Sequence, residues 1–244
     1  MNGFFVNFSR LFLHVLFPRT CACCGCDLSW NCETYLCPAC SQTLVRPGPL
    51  ICLRCGVNLP SGGAHCFACR GSKAKQYKCK LIRSAWIFNA SSRALVHGLK
   101  YNGADYFAKT MGTQMAQNFA HYPELSAAQL VIPVPLFKTK KRRRGYNQSE
   151  LLARYFSQQT GLPLATHLLV RLRDTVSQTR LGRKARLSNM TNAFSCPYPS
   201  QIKGKVILLI DDVATTGATL EGCAIALRQA GAKRVMAYTY AREN

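Results

Sequence analysis

The chain has 244 residues, enough for one large domain or two smaller ones, and 48% of them are hydrophobic, which supplies a real core. Thirty-two Lys and Arg against ten Asp and Glu give a formal net charge of +22. That excess excludes an acidic surface and favours polyanionic partners, nucleic acid or acidic membrane, without choosing between them. Fourteen cysteines would suit a disulfide framework, but they cluster in the first third as pairs two residues apart, a spacing that suits a metal better.

Residues 4–17, FFVNFSRLFLHVLF, are apolar but interrupted by Asn7, Arg10 and His14. They fall short of the about 20 residues a spanning helix needs, so no transmembrane span is expected. A docking helix is expected there, with an interfacial helix touching the membrane as the alternative. Met1 to Pro18 lacks a basic start and a small-residue cleavage site, so no signal peptide is expected and a reducing cytoplasm follows.

Residues 21–69 contain an internal repeat. Cys21, Cys24 and Gly25 are followed by Leu28, and Cys52, Cys55 and Gly56 by Leu59. Each unit is closed by a second pair, Cys37/Cys40 and Cys66/Cys69. Four thiolates at tetrahedral reach are what structural zinc wants, with no position left for water. One or two zinc sites are expected. Pairing within each unit is favoured by the repeat; interleaved ligation and a Cys23/Cys26 register for the first site stay open. A segment this small needs such staples to hold a core. Cys32, Cys79, Cys196 and Cys223 lie outside the pattern and read as small hydrophobes. The polar stretch Gly71–Lys80 marks a boundary, giving residues 1–75 as a helix plus double ribbon and 80–244 as a second domain.

Residues 81–88 read as a strand, 91–100 and 105–119 as helices broken by Lys100-Tyr101-Asn102-Gly103, and 130–136, LVIPVPL, as a strand that its prolines stop. A cationic loop follows, Lys138, Lys140, Lys141, Arg142, Arg143 and Arg144, six cations in seven positions, then Gly145-Tyr146 and a helix over about 149–159. An isolated charge run of this kind is a solvated patch; a bound anion would relieve its repulsion. Residues 168–172 read as a strand, and 173–194 as a polar, Arg-rich stretch whose plain reading is a surface helix.

Residues 206–219, VILLIDDVATTGAT, carry the strongest signal. An apolar run without alternation, Val206 to Ile210, predicts a strand buried on both faces of a parallel sheet. It ends in Asp211-Asp212, then a small, hydroxylated turn, Ala214-Thr215-Thr216-Gly217-Ala218-Thr219, then a helix with Leu220, Ala224 and Leu227 on one face. A strand–loop–helix of this kind opens at the carboxyl edge of the sheet, where free N–H groups and the helix dipole face an anion. Gly217 lets backbone approach closely and the threonines add donors. A phosphate fits the loop, and the two carboxylates suit a sugar diol. Residues 234–240 close the chain as a last strand.

The 206–219 string resembles the phosphoribosyl pyrophosphate (PRPP) signature of type I phosphoribosyltransferases. That resemblance implies that Asp211 and Asp212 hold the ribose hydroxyls, with a catalytic role, and that Ala214 through Thr219 cradle the 5-phosphate. It implies that the tract 138–144 lies at the pyrophosphate, and that Gln178, Arg180, Arg186 and Asn189 belong to a hood that closes over PRPP. It implies Mg²⁺ bound with PRPP. The ribbons, KYNG, RRRGYNQ, QTRLGRKARLSN and IDDVATTGAT, in that order, resemble the ComF/GntX family of bacterial DNA-uptake proteins. The fold implied is α/β, a type I phosphoribosyltransferase-like parallel sheet with flanking helices behind a zinc-ribbon domain. The implied role is handling incoming single-stranded DNA in the cytoplasm or at the inner membrane face, with other DNA-uptake proteins such as a competence helicase as partners. The tract with Phe137 and Tyr146 would track phosphates and stack bases. An active Mg²⁺-dependent transferase on a nucleobase or amine is the competing expectation.

Overall fold

Four apolar segments become a parallel sheet. In the computed structural model, which describes residues 18–29, 31–32, 34–71, 76–101, 104–174 and 192–243, a short helix α1 (Pro38–Gln42) precedes strand β1 (Cys79–Ile87). Helices α2 (Ala90–Tyr101) and α3 (Ala104–Phe119) follow, then β2 (Leu130–Pro133), α4 (Lys138–Arg144) and α5 (Gln148–Thr160). After a two-residue strand β3 (Val170–Arg171) and its antiparallel partner β4 (Phe194–Ser195) come β5 (Val206–Ala214), α6 (Ala218–Gln229) and β6 (Arg234–Arg242). The expected docking helix 4–17 and the hood residues Gln178, Arg180, Arg186 and Asn189 lie outside the described residues.

The sheet order is β1-β6-β5-β2, with every pairing parallel. Helices cover both faces, so β5 is buried along nearly its whole length, as its unalternating sequence requires. Leu208, Ile210, Met236 and Tyr238 pack in one core with residues of α2, α3 and α5. Ile207, Leu209, Val235 and Ala237 pack in the other with Leu220, Ala224 and Leu227 of α6.

Both sheet edges are closed by other parts of the chain. The second cysteine unit lies on β1, where Ile82 N–H donates to Arg54 O at 2.7 Å, and Ile87 N–H donates to Val45 O at 2.7 Å. On β2, Val131 N–H donates to Pro163 O at 2.8 Å and accepts from Ala165 N–H through its own carbonyl at 2.9 Å. An uncovered edge would offer unpaired N–H and C=O groups to another chain. The cysteine repeat is reproduced bond by bond: Gly25 N–H donates to Cys21 O and Gly56 N–H to Cys52 O, both at 2.9 Å. Both glycines are left-handed, with φ of 75° and 70°.

Two expectations are corrected. The cationic tract is not a loop but the helix α4. Lys141 through Arg144 occupy its last turn, where cations complement the carboxyl end of the dipole, and Gly145 closes it in the left-handed region. The second strand stops at Pro133 rather than running to 136: the last bond to β5 is Val134 N–H to Ile210 O at 2.9 Å, and Pro135 follows with no N–H to give.

Helices α3 and α5 meet at Gly112, where a Cβ would fall 2.6 Å from Tyr155 Cβ and 3.1 Å from Leu152 O. Gly112→Val should therefore push the helices apart and cost about 1–3 kcal/mol. Urea unfolding should show a lowered midpoint at unchanged slope.

Candidate functional site

Because all four strands run parallel, their carboxyl ends share one edge of the sheet. Asp211 and Asp212 stand there on β5, opposite Thr239 of β6, and are only 8% and 5% exposed. Two adjacent carboxylates in so dry a place repel each other and lose hydration. Each is answered by a different helix. Ser149 Oγ, at the start of α5, donates to Asp211 Oδ1 at 2.7 Å, and the Asp212 backbone N–H donates to the same oxygen at 2.9 Å. Lys100 Nζ, at the end of α2, lies 2.6 Å from Asp212 Oδ2.

The environments push the two acids apart. Burial and the neighbouring Asp212 charge raise Asp211, against the Ser149 hydrogen bond. Burial also works against the Asp212 charge, but the Lys100 ammonium outweighs it and holds Asp212 below the ordinary carboxylate range. Lys100 is raised in turn: burial opposes its charge and the two carboxylates favour it. Near neutral pH, then, Asp212 is an anion locked to an ammonium, and Asp211 is biased toward keeping its proton. Such a pair can both accept from and donate to a diol.

The phosphate-type loop follows directly. Ala214 ends β5 in the core, Thr215 is exposed, Thr216 half-buried, and Gly217 takes φ 75° as the residue before α6. Gly217 offers no side-chain cap. The nearest substitute is Thr216 Oγ1, which accepts from Ala218 N–H at a long 3.4 Å. First-turn N–H groups of a twelve-residue helix are thus left to seek an acceptor such as a phosphate. Thr219 is half-buried in that turn.

The cationic tract lies near this edge through its flanks. Tyr146 OH donates to Leu99 O at 2.7 Å, so its ring anchors the end of α2. The Arg144 guanidinium lies 5.7 Å from the Tyr101 ring centre. Lys140 pairs with Asp174 at 2.9 Å and Lys141 with Glu150 at 3.2 Å. Lys138, Arg142 and Arg143 are exposed. Lys100 and Ser149 are the site residues that motif reading missed. A signal existed for both: Lys100 falls four residues after buried Val96, and Ser149 three before buried Leu152, so each sits on a buried helix face where a polar group needs a partner.

Two groups of cysteines converge as well: Cys21, Cys24, Cys37 and Cys40, and Cys52, Cys55, Cys66 and Cys69. Within each group all sulfurs lie within 4.8 Å of one another. The sulfurs of Cys24 and Cys37 are 3.8 Å apart, those of Cys55 and Cys66 3.7 Å. A zinc tetrahedron with bonds of about 2.3 Å has edges of about 3.8 Å, so both sets fit that ion. Backbone N–H groups of Cys37 and Cys55 point at Cys21 and Cys52 sulfur, at 3.3 and 3.5 Å, as thiolates require. Grouping is within each unit, and Cys23 and Cys26 are left out. Cys79 and Cys223 are fully buried hydrophobes. No helix among the described residues is long and apolar enough to cross a membrane.

A family model for the phosphoribosyl transferase domain matches residues 108–244, a span that contains β5, its loop and α6 but not Lys100. Over 211 residues the chain is 28% identical to Competence protein F of Haemophilus influenzae, covering 85% of this chain and 90% of that one. It is 27% identical over 228 residues to DNA utilization protein YhgH of Escherichia coli K12, with 92% and 97% covered. It is 26% identical over 227 residues to Competence protein ComFC of Bacillus subtilis, with 88% and 90% covered. Among solved structures it is similar to the glutamine PRPP amidotransferase of B. subtilis, at a TM-score of 0.35 and 23% identity. That match covers 53% of this chain and 25% of the other, so the chain spans about a quarter of that protein's length.

Asp212, held low, contributes stability above the unfolded carboxylate pKa of about 4 and loses it as pH falls through its folded value. Lys100→Met removes the ammonium and leaves a buried anion. Unfolding free energy should drop by roughly 3 kcal/mol at neutral pH. The difference from wild type should shrink as pH falls toward 4, where protonation relieves Asp212 in the variant; urea titrations at a series of pH values measure this.

Proposed function

Because this chain belongs to the phosphoribosyl transferase domain family, we propose that it grips PRPP at the carboxyl rim of its sheet and serves in DNA uptake by handling incoming single-stranded DNA. The observation that carries the first half is the buried acid pair, partnered by Ser149 and Lys100, one turn of chain before an uncapped helix start. The 5-phosphate accepts hydrogen bonds from the backbone of Ala214 to Thr219 and from the Thr215, Thr216 and Thr219 hydroxyls. Asp212 accepts from one ribose hydroxyl, while Asp211, biased toward its protonated form, exchanges a bond with the other. Mg²⁺ bound with PRPP would shield the pyrophosphate charge, taking its ligands from phosphate and hydroxyl oxygens and water next to Asp211 and Asp212. The hood residues Gln178, Arg180, Arg186 and Asn189 would exclude water over it. The double ribbon, with its two zinc-sized cysteine sets, is the structural companion of this domain.

The second half rests on the relatives' names, a competence protein and a DNA utilization protein, and on the charge of +22. The exposed Lys138, Arg142 and Arg143 are set to follow a phosphate backbone, in the cytoplasm or against the inner membrane face, where other uptake proteins would hand over the strand. Tyr146 is an anchor in this scheme rather than a stacking platform. A transferase reading is favoured by the ionised Asp212. As the C1–pyrophosphate bond breaks, positive charge grows on the ribose and a nearby carboxylate stabilises it, before the acceptor bonds to C1. Pyrophosphate release, screened over bases and amines, separates the two readings.

Calorimetry with Mg-PRPP should give saturable binding, and Asp211→Ala or Asp212→Ala should weaken it at least about tenfold, roughly 1.4 kcal/mol. Absence of heat from folded wild-type protein would remove the reading. For single-stranded DNA, log affinity should fall with log salt by about 0.7 per neutralised phosphate. The triple variant Lys138→Ala, Arg142→Ala, Arg143→Ala should flatten that slope by about 2; an unchanged slope takes the tract out of the DNA site.

A further inference from the structure

The two cysteine clusters differ in what stands behind them. The first packs on α2 and α3, through Tyr35 against Phe107, with ring centres 4.4 Å apart, and through Thr43 Oγ1 and Ser91 Oγ at 2.7 Å. The second reaches the start of α6 by two routes.

The side-chain route runs through Arg54, which sits between Cys52 and Cys55 and is 7% exposed. Its Nη1 donates to Cys69 Sγ at 3.5 Å, and its Nη2 to Glu221 Oε2 at 3.1 Å. Its guanidinium lies 3.2 Å from the Tyr77 ring centre. Glu221 belongs to the first turn of α6 and is itself buried, at 5%. Its carboxylate also accepts from the backbone N–H of Lys78 at 2.6 Å and of Cys79 at 3.1 Å.

The backbone route runs through Ile82. Its N–H donates to Arg54 O at 2.7 Å, and a Cβ on Gly56 would lie 2.7 Å from its carbonyl oxygen. At the other end of the same residue, Ile82 Cδ1 lies 3.0 Å from where a Cβ on Gly217 would be. The knuckle therefore packs closely on β1, and β1 on the glycine just before α6, and neither glycine leaves room for a side chain.

From these contacts we infer that the second cysteine cluster, through Arg54, positions the phosphate loop, whereas the first cluster does not. The inference rests on the phosphate-binding reading of that loop. The physical reason is charge. A carboxylate in the first turn of a helix is attracted to the same N–H groups that would bind a phosphate, and it repels the phosphate. Here Arg54 and two backbone donors turn Glu221 away and neutralise it. Arg54 is held in turn by Cys69, and four thiolates around one dication keep a net negative charge that favours an arginine beside them. Arg54 and Cys69 are positioning residues: neither touches the proposed ligand.

The test uses the full chain, with zinc content and Mg-PRPP affinity measured together. Arg54→Gln should keep both zinc ions of the two cysteine sets and bind PRPP about tenfold more weakly. Adding Glu221→Gln to Arg54→Gln should recover much of that loss, because it removes the unneutralised carboxylate; a purely structural defect would not be rescued. Ser91→Ala, which cuts the first ribbon's tie to α2, should leave the affinity within about twofold. Equal PRPP affinity in wild type and zinc-loaded Arg54→Gln would overturn the inference while leaving the binding reading intact. Absence of PRPP binding in wild type would overturn both at once, and so is told apart. Should Arg54→Gln fail to fold, Arg54→Met, which removes the charge and keeps an apolar stem in the buried slot, carries the same comparison with and without Glu221→Gln.

Discussion

Two carboxylates next to each other at the dry end of a strand set the terms for this molecule. Asp211 and Asp212 sit where β5 leaves a sheet sealed on both faces, and neither can keep a charge there unaided. The remedy comes from distant sequence. Lys100 closes α2 and Ser149 opens α5, and each places one polar group on one acid. The ends of both helices are fixed in turn: Asn147 caps α5 and bonds to Val134 O, and Tyr146 holds the Leu99 carbonyl. The pair thus draws β2, α2, α4 and α5 to one point on the rim.

The 214–219 loop obeys a second constraint, that a helix start without a side-chain cap stays open to an anion. Glu221 would spoil this if left free in the first turn. Its removal into a buried ion pair with Arg54 joins the ribbon to the first turn of α6, next to the 214–219 loop. The same ribbon closes the β1 edge through Arg54 O, and the stretch between the two cysteine units closes it further along through Val45 O. One small segment, too short to make a core alone, therefore serves as edge cover and as support for a helix end.

Much of this was legible beforehand. The unalternating run before Asp211 announced a parallel, doubly covered strand, and the repeated cysteine pairs announced two knuckles of one design. Local patterns carry such information because the residues that interact are neighbours in sequence. Lys100–Asp212 and Arg54–Glu221 were not legible, since each joins residues more than a hundred positions apart and nothing local names the partner. The helical state of 138–144 was obscured for another reason. Charge repulsion argued for an open loop, but the position of the cations at the carboxyl end, next to a left-handed Gly145, reversed that sign. Tyr146 likewise looked like a free aromatic and proved to be a tether, because its hydroxyl finds a carbonyl on another helix.

The most direct test of the ribose grip is a crystal structure with Mg-PRPP. The 5-phosphate should lie against the backbone of residues 214–219, with a ribose hydroxyl within about 3 Å of each of Asp211 and Asp212. A phosphate bound instead along α4, with the 214–219 loop vacant and the Lys100–Asp212 pair untouched by ligand, would contradict it.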